Sequence, residues 1–192
     1  MNTYDNRDLI KICSKNDVVL QKNKLNKNFI INFFIENKNI DISKVIDFSI
    51  YKLIGELNQD VLENIEIIKL IDNDSECHML FLFKQLSKEL GISKKYMFLK
   101  TIKTIENDTI IFKSYDLDAT TLNINVNLNS YEKIYCETST IMVSVISPYL
   151  VKINYIFNMN LNEDLPIYLQ NILGFLMKKM FYKLKLFIEM AK

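Results

Sequence analysis

Between about residue 57 and residue 161 this chain alternates short apolar runs with polar turns, and it then closes on one long amphipathic stretch, residues 165–190. That order constrains the fold more than any other feature of the sequence. Residues 65–71, the turn Asp72-Asn73-Asp74 and residues 77–83 predict a hairpin; residues 96–105, the turn Glu106-Asn107-Asp108 and residues 109–115 predict another. Residues 116–130 are polar and irregular, long enough for a functional loop. Residues 132–147 and 150–161 read as two more strands, parted at Pro148. In the closing stretch Leu165, Leu169, Ile172, Leu176, Met180, Leu184 and Phe187 recur on one helical stripe, and Pro166 fits a first turn that needs no backbone donor. A sheet has to bury its apolar face, and the closing helix is the obvious cover.

Upstream, residues 4–14 predict a short helix with Leu9, Ile10 and Ile12 on its apolar side, followed by strands at 17–22 and 28–36. Asp41 and Ser43 are candidate N-caps for a helix reaching about residue 57, with Val45, Ile46, Ile50, Leu53, Ile54 and Leu57 at helical spacing. With no internal repeat or linker, the reading is a single α+β domain over 1–192. A domain of that length buries roughly 70% of its unfolded surface, enough to fold without a disulfide or metal.

Charge and cysteine usage exclude several function classes. Lys plus Arg (24) nearly balances Asp plus Glu (23), so the broad basic footprint of a nucleic-acid binder is missing. Cys13, Cys77 and Cys136 are odd in number, widely spaced and form no CxxC, and His78 is the only histidine. No metal site and no cofactor is expected, and the thiols fit a reducing, cytoplasmic compartment. The N-terminus lacks the build of a signal peptide, and the uncharged run 165–177 is too short to span a bilayer.

Strand alternation and helical period place a set of apolar side chains inside: Phe29, Ile31 and Phe33; Met79, Phe81 and Phe83; Met142 and Ile146; Ile153, Tyr155 and Phe157; and Leu169, Ile172, Leu173, Leu176 and Met180 from the closing helix. Periodicity says inside; a filled core and a cavity wall both satisfy it. His78 beside Cys77 has no nucleophile or orienting acid near it in sequence, so no catalytic residue is assigned. Lys178 and Lys179, with Phe175 and Met177 off the main apolar stripe, suit either docking on an anionic membrane or a plain solvated face.

Element order and local sequence together resemble the START family of lipid-transfer domains. The stretch VKINYIFNMNLNEDLPIYLQNIL, from Val151 to Leu173, is similar to that family's closing strand, polar corner, Leu-Pro and terminal helix. IYCETSTIMVSVISP, from Ile134 to Pro148, resembles the strand that usually reads V-R-A-E, with Tyr135 in place of the Arg and Glu137 kept. ISKKYMFLKTIKTIENDTIIFKS, from Ile92 to Ser114, resembles the S-P-R-D-F segment and the strand pair after it, with Lys94-Lys95 in place of Pro-Arg-Asp. The family's tryptophans are absent.

The resemblance implies a helix-grip fold: a curved antiparallel sheet wrapped around the long C-terminal helix, enclosing an apolar tunnel. It implies a non-enzymatic carrier that works as a monomer, holds one lipid (phospholipid in preference to sterol) and visits membrane surfaces transiently. Lys100 stands where the family often has an Arg meeting a buried acid or a headgroup. It would meet a phosphate, a carboxylate or Glu137 if it points inward, and water if it points outward. The family's gating loop corresponds to about residues 117–129. Two other readings stay open on such a scaffold. One is an enzyme on an apolar substrate, for which only Lys100, Glu137, Tyr135 and His78 could supply titratable groups inside. The other is a ligand-free interaction module.

Overall fold

A computed structural model of the chain describes residues 8–71, 75–85, 93–118, 126–160 and 171–192. Among the described residues ten strands and three helices follow in the order β1 (Leu9–Lys15), β2 (Val18–Asn23), β3 (Phe29–Glu36), α1 (Ile42–Val45), α2 (Ser49–Leu57), β4 (Leu62–Ile71), β5 (Glu76–Phe83), β6 (Lys94–Glu106), β7 (Thr109–Asp116), β8 (Tyr131–Lys133), β9 (Tyr135–Ser147), β10 (Leu150–Asn160) and α3 (Ile172–Met190). The strands form one curved sheet in the order β1-β2-β3-β10-β9-β7-β6-β5-β4, antiparallel throughout except for the short β8, which runs parallel beside β6. β1 and β4 are free edges, so the sheet does not close into a barrel. α2 and α3 fill its concave side.

The first element differs from the sequence expectation. Residues 9–15 form a strand where a helix was expected, because Asn16 and Asp17 both take positive φ (46° and 62°) and fold β1 back onto β2 through a two-residue turn. Such turns demand left-handed conformation at both central residues, which Asn and Asp tolerate best after Gly. The helix expected up to residue 57 is also broken. The side chain of Asp47 accepts from the Ser49 amide at 2.7 Å, a local bond that competes with the helical ladder, and Phe48 turns inward against Phe112 (centroids 5.6 Å apart). The long strand expected at 132–147 is interrupted at Ile134, whose amide donates to the Tyr96 carbonyl and whose side chain is fully buried.

α3 lies on the sheet by two different means. Gly174 faces Phe29 so closely that a Cβ there would sit 2.7 Å from the Phe29 ring. At the far end Asn37 donates to the carbonyls of Ile188 (2.6 Å), which also accepts from the Ala191 amide (3.3 Å), and of Ala191 (2.8 Å), where the helical ladder runs out of donors. Lys185 adds a bond to the Phe34 carbonyl at 2.7 Å and pairs with Glu189.

The helix buries Leu173, Met177, Met180, Phe181, Leu184 and Ile188. This stripe is turned by about one residue from the expected one, so Ile172 and Leu176 lie at its margin and Phe187 is exposed. Leu165, Pro166 and Leu169 lie outside the described residues. No described helix is long and apolar enough to cross a membrane.

Candidate functional site

The concave side of the sheet gathers the larger interior of the described residues. Its walls follow from strand alternation. β5 turns Cys77, Met79, Phe81 and Phe83 inward, β6 turns Lys95, Met97, Leu99 and Thr101, and β7 turns Ile110, Phe112 and Ser114. β10 contributes Ile153, Tyr155, Phe157 and Met159. Phe29, Ile31, Phe33, Met79, Phe83 and Phe157 are buried in this core as expected, and Phe81, Ile153 and Tyr155 reach the space left between sheet and helices.

Among the described residues that space includes two small voids. One void of about 20 Å³ is wholly apolar, bounded by Ile35, Ile46, Ile50, Val143, Ile153 and Leu184. A second, of about 30 Å³, is bounded by Met97, Met159, Met177 and Met180 together with Ser114, Ser139 and Tyr155. Tyr51, Ile54, Ile141 and Phe181 face both. Each void has room for one or two water-sized spheres, against the 300–1,000 Å³ of an ordinary ligand pocket. Between these described residues the interior holds two adjoining voids, and the side chains between the two would have to move for a lipid to occupy both.

Polar groups on these walls are uncharged. Thr101 and Ser114 share a hydrogen bond of 2.8 Å in the buried interior, and the Tyr51 hydroxyl is bonded to Ser114. Ser139 donates to the Tyr155 hydroxyl at 3.4 Å and is also bonded to the Cys136 thiol. Burial pushes the phenols of Tyr51 and Tyr155 far above their ordinary range, so both remain neutral donors. Burial, aided by the nearby negative charge of Asp116, pushes the Cys136 thiol up to about 12.

Several expected site residues lie elsewhere. Lys100 is on the outer face, where it pairs with Glu76 at 2.6 Å; the other carboxylate oxygen of Glu76 meets His78 Nε2 at 2.9 Å. The hydrogen bond from Lys100, then that from His78, holds the Glu76 carboxyl below its usual range. Tyr135 is exposed under Lys133, and Glu137 accepts from Asn158 at 2.8 Å on the outside. Met142 and Ile146 also face outward, because β9 presents Ser139, Ile141, Val143 and Val145 to the interior. With Lys100 outside, the cation on which a phosphate headgroup would have rested is gone.

The inward charge on β6 is Lys95 instead. It is fully buried, donates to Glu132 at 2.5 Å and borders neither void.

The expected docking surface is likewise altered. Met177 points into the cavity, Lys179 is tied to Asp60 (2.6 Å) and Lys178 donates to Cys13 Sγ at 3.4 Å, while Phe175 stays exposed. Of the expected gating loop, the described Leu117, Val126 and Leu128 pack on the convex face over Leu80, Leu82 and Phe98. Those three side chains point away from the helix side and need a cover of their own. Residues 119–125 lie outside the described residues.

The described lining not assigned to the site from the sequence is Ile35, Ile46, Ile50, Tyr51, Ile54, Met97, Leu99, Phe112, Ser114, Ser139, Ile141, Val143, Met159, Phe181 and Leu184. The Ser114 and Ser139 positions sit in alternation with apolar neighbours and were recoverable in principle. A polar residue on an inner face disguises the face it belongs to.

A curved antiparallel sheet gripping a C-terminal helix around an apolar interior with a few neutral polar groups defines the helix-grip class, and within it this chain has the START fold. Human StAR-related lipid transfer protein 5 superimposes with a TM-score of 0.69 at 12% identity, over 97% of this chain and 86% of that one. The human StarD13 (DLC2) lipid transfer and protein localization domain gives 0.73 at 8% identity, over 95% and 90%. Human STARD10 gives 0.69 at 9%, over 95% and 73%. At these identities the likeness is one of fold. No family model matches the sequence, and no curated protein matches it.

Proposed function

We propose that residues 1–192 form one START-like domain that takes up a single lipid between the sheet and α3 and carries it between membranes. The observation that supports this reading most is the pair of adjoining voids, lined only by apolar and uncharged polar side chains, under the helix of a START fold. Each methylene transferred from water to such a wall contributes about 0.8 kcal/mol, so an acyl chain or ring system binds without covalent chemistry. Room is made by repacking. Met97, Met159, Met177 and Met180 are unbranched and adopt new rotamers cheaply, and they border the larger void.

The positions of the four groups named for an enzyme favour the carrier over that reading. Lys100, Glu137, Tyr135 and His78 all lie outside the cavity, and the phenols and the Cys136 thiol near it are held protonated.

Native mass spectrometry of freshly purified protein, with lipid extraction of the same sample, tests the proposal. An adduct of lipid mass is expected, either at once or after incubation with vesicles. Fluorescent-lipid transfer from donor to acceptor vesicles should then accelerate with protein concentration. A clean mass after incubation with a broad lipid panel would sink the carrier.

A further inference from the structure

Among the described residues, the walls of the two voids hold no ionisable cation or carboxylate; their polar atoms are the hydroxyls of Tyr51, Ser114, Ser139 and Tyr155, with Thr101 behind Ser114. We infer that the cavity selects a lipid whose buried polar end is an uncharged hydroxyl or carbonyl, and that it discriminates against phosphate headgroups. The inference rests on the carrier reading and adds the ligand class to it.

Two observations carry it. First, a hydroxyl both donates and accepts, so four of them around one void can satisfy either a ligand O–H or a ligand C=O by re-aiming a proton. Ser114 and Ser139 are cross-strand partners on β7 and β9, Tyr51 is bonded to the first and Tyr155 to the second, and all four border the same space. Second, a phosphate at this depth would meet no cation among the described lining residues. Lys100 is outside with Glu76, and Lys95 is engaged with Glu132. A buried anion without a partner is costly enough to exclude it. A phospholipid entering tails first would instead press methylenes on the four hydroxyls and strand their remaining protons and lone pairs. The wholly apolar void beyond Phe181 suits the body of a ligand whose polar end stops at the hydroxyls.

The body attached to that polar end could be a sterol ring system or the acyl chains of a diacylglycerol, and the test separates these. The protein is incubated with vesicles of phosphatidylcholine alone, or of phosphatidylcholine carrying cholesterol, diacylglycerol or phosphatidylserine, and its native mass is read after each. An adduct of cholesterol or diacylglycerol mass is expected, with phospholipid adducts at least tenfold less abundant, a factor one or two hydrogen bonds can supply. Phospholipid adducts of equal or greater occupancy would overturn the inference and leave the carrier standing. No adduct from any vesicle would overturn both.

Tyr155→Phe and Ser139→Ala should each lower the preference for the loaded lipid over its hydroxyl-free analogue about tenfold. Ser114→Ala serves as the second variant if Tyr155→Phe does not fold. Loss of thermal stability with the preference unchanged would mean the hydroxyls only hold the core together, and would also overturn the inference.

Discussion

The two ends of the cavity under α3 are built on opposite principles. At the end carrying the β9–β10 turn, the void is apolar and the helix is tied down by directed bonds, Asn37 to two terminal carbonyls and Lys185 to the sheet. At the end where α3 begins, the void carries hydroxyls and methionines, and the helix rests on Gly174 against Phe29, with side-chain bonds from Lys22 to Asn171 (3.2 Å) and from Lys178 to Cys13 Sγ (3.4 Å). Directed bonds fix an orientation, whereas a steric seat holds only while the helix stays down. The difference teaches that the C-terminal turns of α3 are the more firmly bonded part. Any movement that admits a ligand should come from its first turns.

The largest expected effect comes from Phe181, the ring that faces both voids and packs against Tyr155 (4.9 Å) and Phe33 (6.1 Å). Phe181→Ala merges the two voids and should cost about 3–5 kcal/mol in urea unfolding. A loss under about 1 kcal/mol would mean that the core collapses into the gap and that the two ends are not separated by this ring.

Asn37→Ala removes two bonds from the fixed end and leaves the Ile188 carbonyl with only the 3.3 Å bond from the Ala191 amide, for a loss of about 2 kcal/mol. Amide exchange should quicken in the last turn of α3 and stay unchanged near Gly174. Equal quickening at both ends would break the comparison.

At the opposite end, Gly174→Ala sets a helix-propensity gain near 1 kcal/mol against overpacking on Phe29, which costs about 1–3 kcal/mol. The Phe29 ring has little freedom to retreat, with Phe157 stacked 5.4 Å away and the Lys22 ammonium 4.9 Å from its centroid. The expected net is a loss of about 1 kcal/mol together with faster exchange in the first turns of α3. A stabilised variant would show that the seat is loose.

Much of this architecture was legible in the sequence. The strand run, its turns and the covering helix follow from period and turn residues, and the START fold was recognised from their order. What failed was phase. In β9 the inward Ser139 interrupts an apolar series, so alternation counted from Met142 and Ile146 selects the wrong face. In β6 the inward Thr101 leaves Lys100 with no apolar alternation to mark it as outward. In α3 six uncharged residues, Ile172 to Met177, let the stripe slide by one, and Gly174 fixes it only through a ring distant in sequence. These misplacements share a cause: the polar and small residues that build the cavity are the ones that blur the pattern used to find it.

Between the two ends a third tether joins α3 to the chain after α2, and acid should release it with the smallest effect of all. Asp60 accepts from Lys179 (2.6 Å) and Lys183 (2.7 Å), and Lys183 also donates to the Leu57 carbonyl at 3.1 Å. The hydrogen bonds from Lys179 and then Lys183 lower the Asp60 carboxyl to about 2. An acid depressed on folding adds stability that is complete above its unfolded value, near 3.9, and is lost as pH falls through about 2. Asp60 is 45% exposed, so solvent screening limits the contribution to no more than about 1 kcal/mol. Asp60→Asn should therefore be slightly less stable than the parent at neutral pH, and the gap should close as both are titrated from pH 4 toward 2. High salt at neutral pH should narrow it too. If the gap persists in acid, the loss comes from the neutral amide's poorer geometry, and α3 is held between its ends by packing alone.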